Sequence, residues 1–150
     1  MNILVDRSSI VASHRAFVRA AEDLDRGISI AIFPEATIPE CTPEIGRLKN
    51  GAFKLAIEKQ VPIVPVVFLD NWKVLPDNPR KKIHPGRPGM LRVVIHDPIP
   101  TKGMTENDLN TLKAAYHQVM DGTLRKYGVL EESTDSRYNG WPNQAASIKP

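Results

Sequence analysis

The sequence predicts an α/β domain with a mixed, mostly parallel sheet flanked by helices. Three observations predict it. Residues 28–33 and 61–69 are nearly unbroken apolar runs, which suits strands covered on both faces. Around them lie longer segments whose apolar residues recur at helical spacing. Glycine and proline punctuate the changes of period, at Gly27, Pro34 and Pro62. Strand, helix and strand joined by short connections is the pattern of a parallel pair.

Each element has its own signal. Ile3-Leu4-Val5 reads as a first strand, so the chain enters a sheet almost at once, and Asp6-Arg7 follows at its carboxyl end. Ser8 or Ser9 is an N-cap candidate for a helix reaching Arg26. Ile10, Phe17, Ala20, Ala21 and Leu24 share one face of it, and Gly27 suits the stop. Residues 28–33 are the second strand, and 34–41 a loop. Thr42 then caps a helix running to about Gln60, with Pro43 at its first position and Glu44 in its first turn. Gly51 falls inside that helix, at a cost of about 1 kcal/mol relative to alanine. Pro62 drives Val61 out of the helical region, and residues 61–69 form a strand. Pro62 and Pro65 give that strand no ladder donor there, so it should be bulged or lie partly at an edge.

Residues 70–89 are a long loop, of a length more often functional than idle. Residues 90–95 are a further strand with Leu91, Val93 and Ile95 on one face. Thr105 and Asp108 begin a last helix with a capping-box pattern. Its stripe is Leu109, Leu112, Tyr116, Val119 and Met120. These expectations divide the chain into 1–126, the folded part, and 127–150, a polar tail that is frayed or loosely docked. No internal repeat is visible.

The totals exclude several classes. The chain has 150 residues, 41% hydrophobic and 25% charged, which suits one ordinary soluble domain. The single Cys41 excludes an internal disulfide framework and a cysteine metal cluster, and fits a reducing compartment. No apolar run approaches the roughly 20 residues of a membrane span. No secretory leader pattern is present at the start. The net charge of +3 favours anionic substrates or an anionic surface. It is too diffuse to indicate nucleic acid, and neither a nucleic-acid motif nor an aromatic platform supports that partner.

Three blocks in order carry a resemblance. Leu4-Val5-Asp6-Arg7, Phe33-Pro34-Glu35-Ala36-Thr37 and Val61-Pro62-Ile63-Val64-Pro65-Val66 resemble motifs two, three and four of the glycerolipid acyltransferases. The nearest type is the 1-acylglycerol-3-phosphate acyltransferase that makes phosphatidate. Leu48-Lys49-Asn50-Gly51-Ala52-Phe53 and the stretch from Pro98 to Thr105 are also similar to that family. The resemblance spans roughly residues 2–125.

That resemblance implies acyl transfer from acyl-CoA or acyl carrier protein to a lysophospholipid acceptor, at the cytoplasmic, inner face of a membrane, with no metal or bound cofactor. It implies that Arg7 and Lys49 hold the acceptor phosphate, that Glu35 hydrogen-bonds the glycerol part, and that Ala36 and Thr37 complete the loop. Taken alone, Arg7 reads first as a surface ion-pair partner and Lys49 as a solvated charge, whereas Glu35 reads either way. The Arg80-Lys81-Lys82 run reads as solvated loop or as a contact for anionic headgroups. Trp72 reads as a packed side chain or an interfacial one.

Two departures matter. Ala36 and Ile38 stand where the family has glycine and arginine. The family's first motif, His-x4-Asp, is absent: five residues after His14, His84, His96 and His117 come Arg19, Gly89, Thr101 and Gly122. The chain therefore lacks the catalytic base and reads as an amino-terminally truncated acyltransferase, inactive alone. The alternative is a non-enzymatic relative that binds phospholipid or phosphate.

Overall fold

The structure, a computed structural model, describes residues 10–37, 42–75, 86 and 88–132. The segments expected at Ile3-Leu4-Val5 and Arg80-Lys81-Lys82 lie outside the described residues. In order come α1 (Ile10–Asp25), α2 (Gly51–Lys59), β1 (Val66–Phe68), α3 (Asn71–Val74), β2 (Val93–Ile95), α4 (Leu109–Lys126) and α5 (Val129–Glu132).

Helix α1 follows its sequence pattern. Ala20 and Ala21 are buried against Leu55 of α2, with Phe17 and Leu24 packed beside them. Gly27 ends the segment at φ +77°, where a side chain would be strained.

Helix α2 starts eight residues later than a Thr42 cap predicts. The cause is visible in the backbone. Gly46 N–H donates to the Glu35 carboxylate at 2.7 Å, and Lys49 N–H donates to Pro34 O at 2.8 Å. A helix over 42–50 would need both donors for its own carbonyls. Gly51 is consequently the first residue of α2 and not an interior one, so the expected interior penalty does not arise.

The sheet differs most from expectation. It is a two-stranded antiparallel pair, with Val66, Val67 and Phe68 opposite Ile95, Val94 and Val93. Residues 28–33 carry no strand pairing among the described residues, so the expected parallel pair is not seen there. An apolar run becomes a strand only when a neighbour takes its backbone groups, and β1 finds that neighbour downstream. Ile28 and Ile32 stay exposed. The irregularity lies in the partner segment and not in residues 61–69, which with only two strands in the sheet among the described residues take the edge position the prolines allow. Ile63 bridges Ile99, so His96, Asp97 and Pro98 face only Val64 and Pro65.

Helix α4 organises the core. Thr105 N–H and its hydroxyl both donate to the Asp108 carboxylate, at 2.8 and 3.0 Å, closing the predicted capping box at the start. Leu112 and Tyr116 pack with Leu48, Phe53 and Ile57. About two turns further, Leu124 packs with Val67 and Leu69. Val129 of α5 completes that second cluster and is wholly buried. Of the tail expected to be frayed or loosely docked, the described residues 127–132 are docked through Val129, and 133–150 lie outside the described residues. Its apolar pair Val129-Leu130 is the signal that composition averaged away.

The other face of the sheet is bare. Val66 and Phe68 are exposed, as are Val93 and Ile95 opposite them. Trp72 is half-buried, and its ring N–H donates to Leu69 O at 3.0 Å, so it packs and does not stand out.

An ion pair between the buried Asp70 and the exposed Arg92 joins the strand ends. Asp70 is buried, and its two carboxylate oxygens accept from Arg92 Nε at 2.8 Å and Nη2 at 2.7 Å. Arg92 N–H adds a third bond at 3.0 Å. Hydrogen bonds from Arg92 outweigh burial and hold the Asp70 carboxyl down at about 2. The folded pKa lies below the unfolded one, so the stabilisation is whole above about pH 4 and is lost as pH falls toward 2. A shift of this size corresponds to about 2 kcal/mol. Urea unfolding between about pH 5 and pH 2 should show the wild type losing about 2 kcal/mol more than Asp70→Asn over the same range. Parallel pH profiles for the two chains would remove this pair from the account.

Candidate acceptor site

The site is built where two irregular stretches meet. Pro34 and Glu35 form a turn that Ala36 N–H closes on Phe33 O at 3.1 Å. Ala36 holds φ +60°, a conformation that glycine adopts freely and alanine only under strain. The turn is fixed to residues 46–49 by the Gly46–Glu35 and Lys49–Pro34 bonds described above. Both donors lie within 42–50, which is why that stretch stays non-helical.

Leu48 anchors the far side of this clasp. It is buried among Phe53, Ile57, Leu112 and Tyr116. Tyr116 stands edge-on to Phe53, with ring centroids 5.4 Å apart. Burial, and after it the negative charge of Glu35, push the Tyr116 hydroxyl above its ordinary pKa. Glu35 is thus close enough to α4 to be felt electrostatically. Lys113 Nζ, one turn earlier on α4, donates to Asn50 Oδ1 at 2.8 Å and ties down the start of α2.

The predicted residues fall into three groups. Glu35, Ala36 and Lys49 come together: the backbone of Lys49 is bonded to the residue before Glu35. Their side chains are not paired, since no ion pair joins Glu35 and Lys49 among the described residues. Glu35 is half-buried and Lys49 exposed. Thr37 follows in the same turn and is exposed. Arg7, with Ile38 and Cys41, lies outside the described residues. Three residues escaped the sequence reading. Gly46 supplies the amide that fixes Glu35. Tyr116 was legible only as core. Arg47 and Lys49 are exposed on either side of the buried Leu48, and the signal of Arg47 appears only once residues 45–49 are known to be non-helical.

Chemically, this is a carboxylate with one oxygen committed to a backbone amide and the other open to a hydroxyl donor. Exposed cations border it. Such a set orients a polyol and attracts an anion.

Comparisons with known proteins give the family. A family model described as Acyltransferase matches residues 1–69. An uncharacterized acyltransferase of Schizosaccharomyces pombe is 34% identical over 124 residues, 81% of this chain and 43% of that protein. The 1-acyl-sn-glycerol-3-phosphate acyltransferase of Haemophilus influenzae is 32% identical over 127 residues, 80% of this chain and 48% of its own. The crystal structure of the 1-acyl-sn-glycerophosphate (LPA) acyltransferase PlsC from Thermotoga maritima superposes with a TM-score of 0.61 at 25% identity, over 82% of this chain and 46% of that one.

The chain belongs to the phospholipid/glycerol acyltransferase family. Several of its relatives are named 1-acyl-sn-glycerol-3-phosphate acyltransferase, and it spans less than half the length of each relative named above. Acyltransferase membership also gives the backbone at Ala36 a meaning. The family's glycine, expected at this position from the motif, is the residue a positive φ requires. Ala36→Gly should relieve about 1 kcal/mol of strain, offset in part by glycine's greater unfolded freedom, so stability stays level or rises slightly. Ala36→Val should lower it by well over 1 kcal/mol, because a β-branched residue fits this φ worst. Denaturant midpoints for the pair check this; a tolerated valine would mean the turn is not held at positive φ.

Proposed function

We propose that this protein serves acyl transfer from acyl-CoA or acyl carrier protein to lysophosphatidate, giving phosphatidate, and that the chain supplies the acceptor-holding part. The observation that carries the reading is the Glu35 carboxylate held by Gly46 N–H, beside the clasped backbone of Lys49. In this reading the free carboxylate oxygen of Glu35 accepts from a glycerol hydroxyl. Lys49, with Arg7, meets the phosphate as cations do, lysine as a point charge and arginine in a bidentate fork. Thr37 adds a hydroxyl at the same turn. Fixing the glycerol this way orients the reacting hydroxyl, and orientation lowers the barrier.

The acyl step in the family's scheme needs a base on that hydroxyl. The hydroxyl oxygen bonds to the thioester carbonyl carbon, its proton passes to the histidine of His-x4-Asp, and the thiol departs. This sequence contains no such pair. We therefore propose that residues 1–126 act as the carboxy-terminal part of an acyltransferase domain and turn over no acyl donor alone. The bare face of β1 and β2 supports that reading, since exposed apolar surface of this kind marks a place another element covers. The domain's parallel strand pairing, its place at the inner face of a membrane and its cytoplasmic location belong to the same proposal. No helix among the described residues is long and apolar enough to cross a membrane.

The second reading, a non-enzymatic phospholipid- or phosphate-binding relative, is favoured by the missing base and by Ala36 and Ile38. Reading the coding DNA upstream of Met1 separates the two. An in-frame His-x4-Asp supports the enzyme, and an intervening stop codon supports the binding protein.

Calorimetry tests the shared core of both. Short-chain lysophosphatidate should bind the 150-residue chain, and Lys49→Ala should weaken it about tenfold, the loss of one charge-assisted contact. Monoacylglycerol, which lacks the phosphate, should bind at least as weakly as that variant. Equal affinity for both ligands would sink the phosphate assignment. Acyl transfer by the purified chain would overturn its inactivity.

A further inference from the structure

The start of α2 carries a reactive pair of residues. Asn50 and Gly51 are adjacent, and both are exposed. The backbone nitrogen after an asparagine can attack that asparagine's own side-chain amide, and glycine puts no side chain in its way. Nothing lies within 4 Å of the place that a Gly51 Cβ would occupy. Gly51 is the first residue of α2, and its N–H is among those a helix leaves without an intrahelical carbonyl. The nucleophile is therefore not committed to the helix.

The amide under attack is prepared as well. Asn50 makes no side-chain cap bond to its own helix. Its Oδ1 accepts from Lys113 Nζ at 2.8 Å. That ammonium draws electron density from Cγ and sits on the oxygen where negative charge develops during attack. The backbone sets the remaining barrier. Asn50 holds φ −76° and ψ −21°, and ring closure needs ψ to leave the helical region. Turning it breaks the bond from Lys54 N–H to Asn50 O at 2.9 Å, at a helix end, where fraying is ordinary. Asp121-Gly122 has no such freedom, since it lies inside α4 with its carboxylate held by Arg125.

We propose that Asn50 is a site of spontaneous deamidation, and that the carboxylate it gains weakens anion binding at the neighbouring Lys49. Gly51 N gives up its proton and bonds to Asn50 Cγ, the Cγ–Nδ2 bond breaks, and Nδ2 departs with that proton as ammonia. Water then opens the cyclic imide. Addition at Cγ gives aspartate, and addition at the backbone carbonyl carbon gives isoaspartate, whose main chain runs through the former side chain. Either product adds a negative charge next to Lys49, at the end of α2 where the helix dipole favours it. The charge effect rests on the reading of Lys49 as a phosphate contact; the deamidation does not.

Ageing the full 150-residue chain in warm, mildly alkaline buffer tests the first half. Digestion at mildly acidic pH then separates the Asn50-Gly51 peptide from that of Asn139-Gly140, the other such pair in the sequence. Mass gain and methyl labelling by an isoaspartate methyltransferase read each peptide. The 50–51 peptide should convert to a mixture of isoaspartate and aspartate, at least tenfold more slowly in Gly51→Ala, while the 139–140 peptide keeps its rate. Alanine meets nothing at position 51 and suits a helix better than glycine, so this variant keeps the fold. A 50–51 peptide still intact after the 139–140 peptide has converted overturns the proposal, as does an equal rate in Gly51→Ala. Calorimetry reads the second half. Asn50→Asp should bind short-chain lysophosphatidate about threefold more weakly than the wild type at low salt, with the gap closing as salt screens the charge. Equal affinity overturns the charge effect. Lys49-dependent binding of lysophosphatidate without conversion at 50–51 would strike this inference and leave the proposed function standing. Conversion in a chain that binds no lysophosphatidate would strike the proposed function and the charge effect, and leave the deamidation standing.

Discussion

Two backbone hydrogen bonds, from Gly46 to Glu35 and from Lys49 to Pro34, set the shape of the functional end of this chain. They have a cost and a consequence. They take donors from a stretch whose capping residues favour a helix, so α2 loses its first turns. In exchange, a half-buried carboxylate gains a fixed direction. A charge-assisted bond from a backbone amide is worth more than a neutral one and leaves the second oxygen free. The strained Ala36 turn and the burial of Leu48 hold the two sides of this clasp from behind. Thr37 and Lys49 then take their places as neighbours of a fixed point.

The rest of the fold serves as the mounting. Helix α4 touches both core clusters, one through Leu112 and Tyr116 and the other through Leu124. Its capping box fixes where it begins, and Lys113 reaches across to Asn50. Asp70 and Arg92 close the strand ends on the far side, where a buried carboxylate is acceptable because three donors of Arg92 meet it. Thr101, also buried, donates to Val61 O at 2.8 Å and pins the exit of α2 to the segment before α4. The site thus rests on long-range polar ties as much as on apolar packing.

The helices were legible in the sequence because their signals are local. The stripe in α1, the glycine at its end and the Thr105–Asp108 box each involve residues within a few positions of one another. The sheet was less legible. Residues 28–33 have the composition of a covered strand, yet among the described residues no neighbour pairs with them, and pairing is a property of two segments. The short α2 had the same origin. Thr42, Pro43 and Glu44 write a good helix start, but a carboxylate some eleven positions earlier claims the amide that the helix needs. At the site, Glu35 and Lys49 stood out through motif order, whereas Gly46 and Tyr116 carry no signal until the loop is folded. Val129 was hidden by the polar residues that surround it.

The clasp itself is open to direct measurement. Amide hydrogen exchange at Gly46 and Lys49, followed by NMR in wild type and Glu35→Ala, reads each half of it separately. The account predicts that Gly46 is protected in the wild type and exchanges at least tenfold faster in the variant, while amides in the middle of α4 keep their protection. Lysophosphatidate binding should fall together with the Gly46 protection. A Gly46 amide that exchanges at the same rate in both chains would show that Glu35 is not held there, and the site as described would have lost its fixed point.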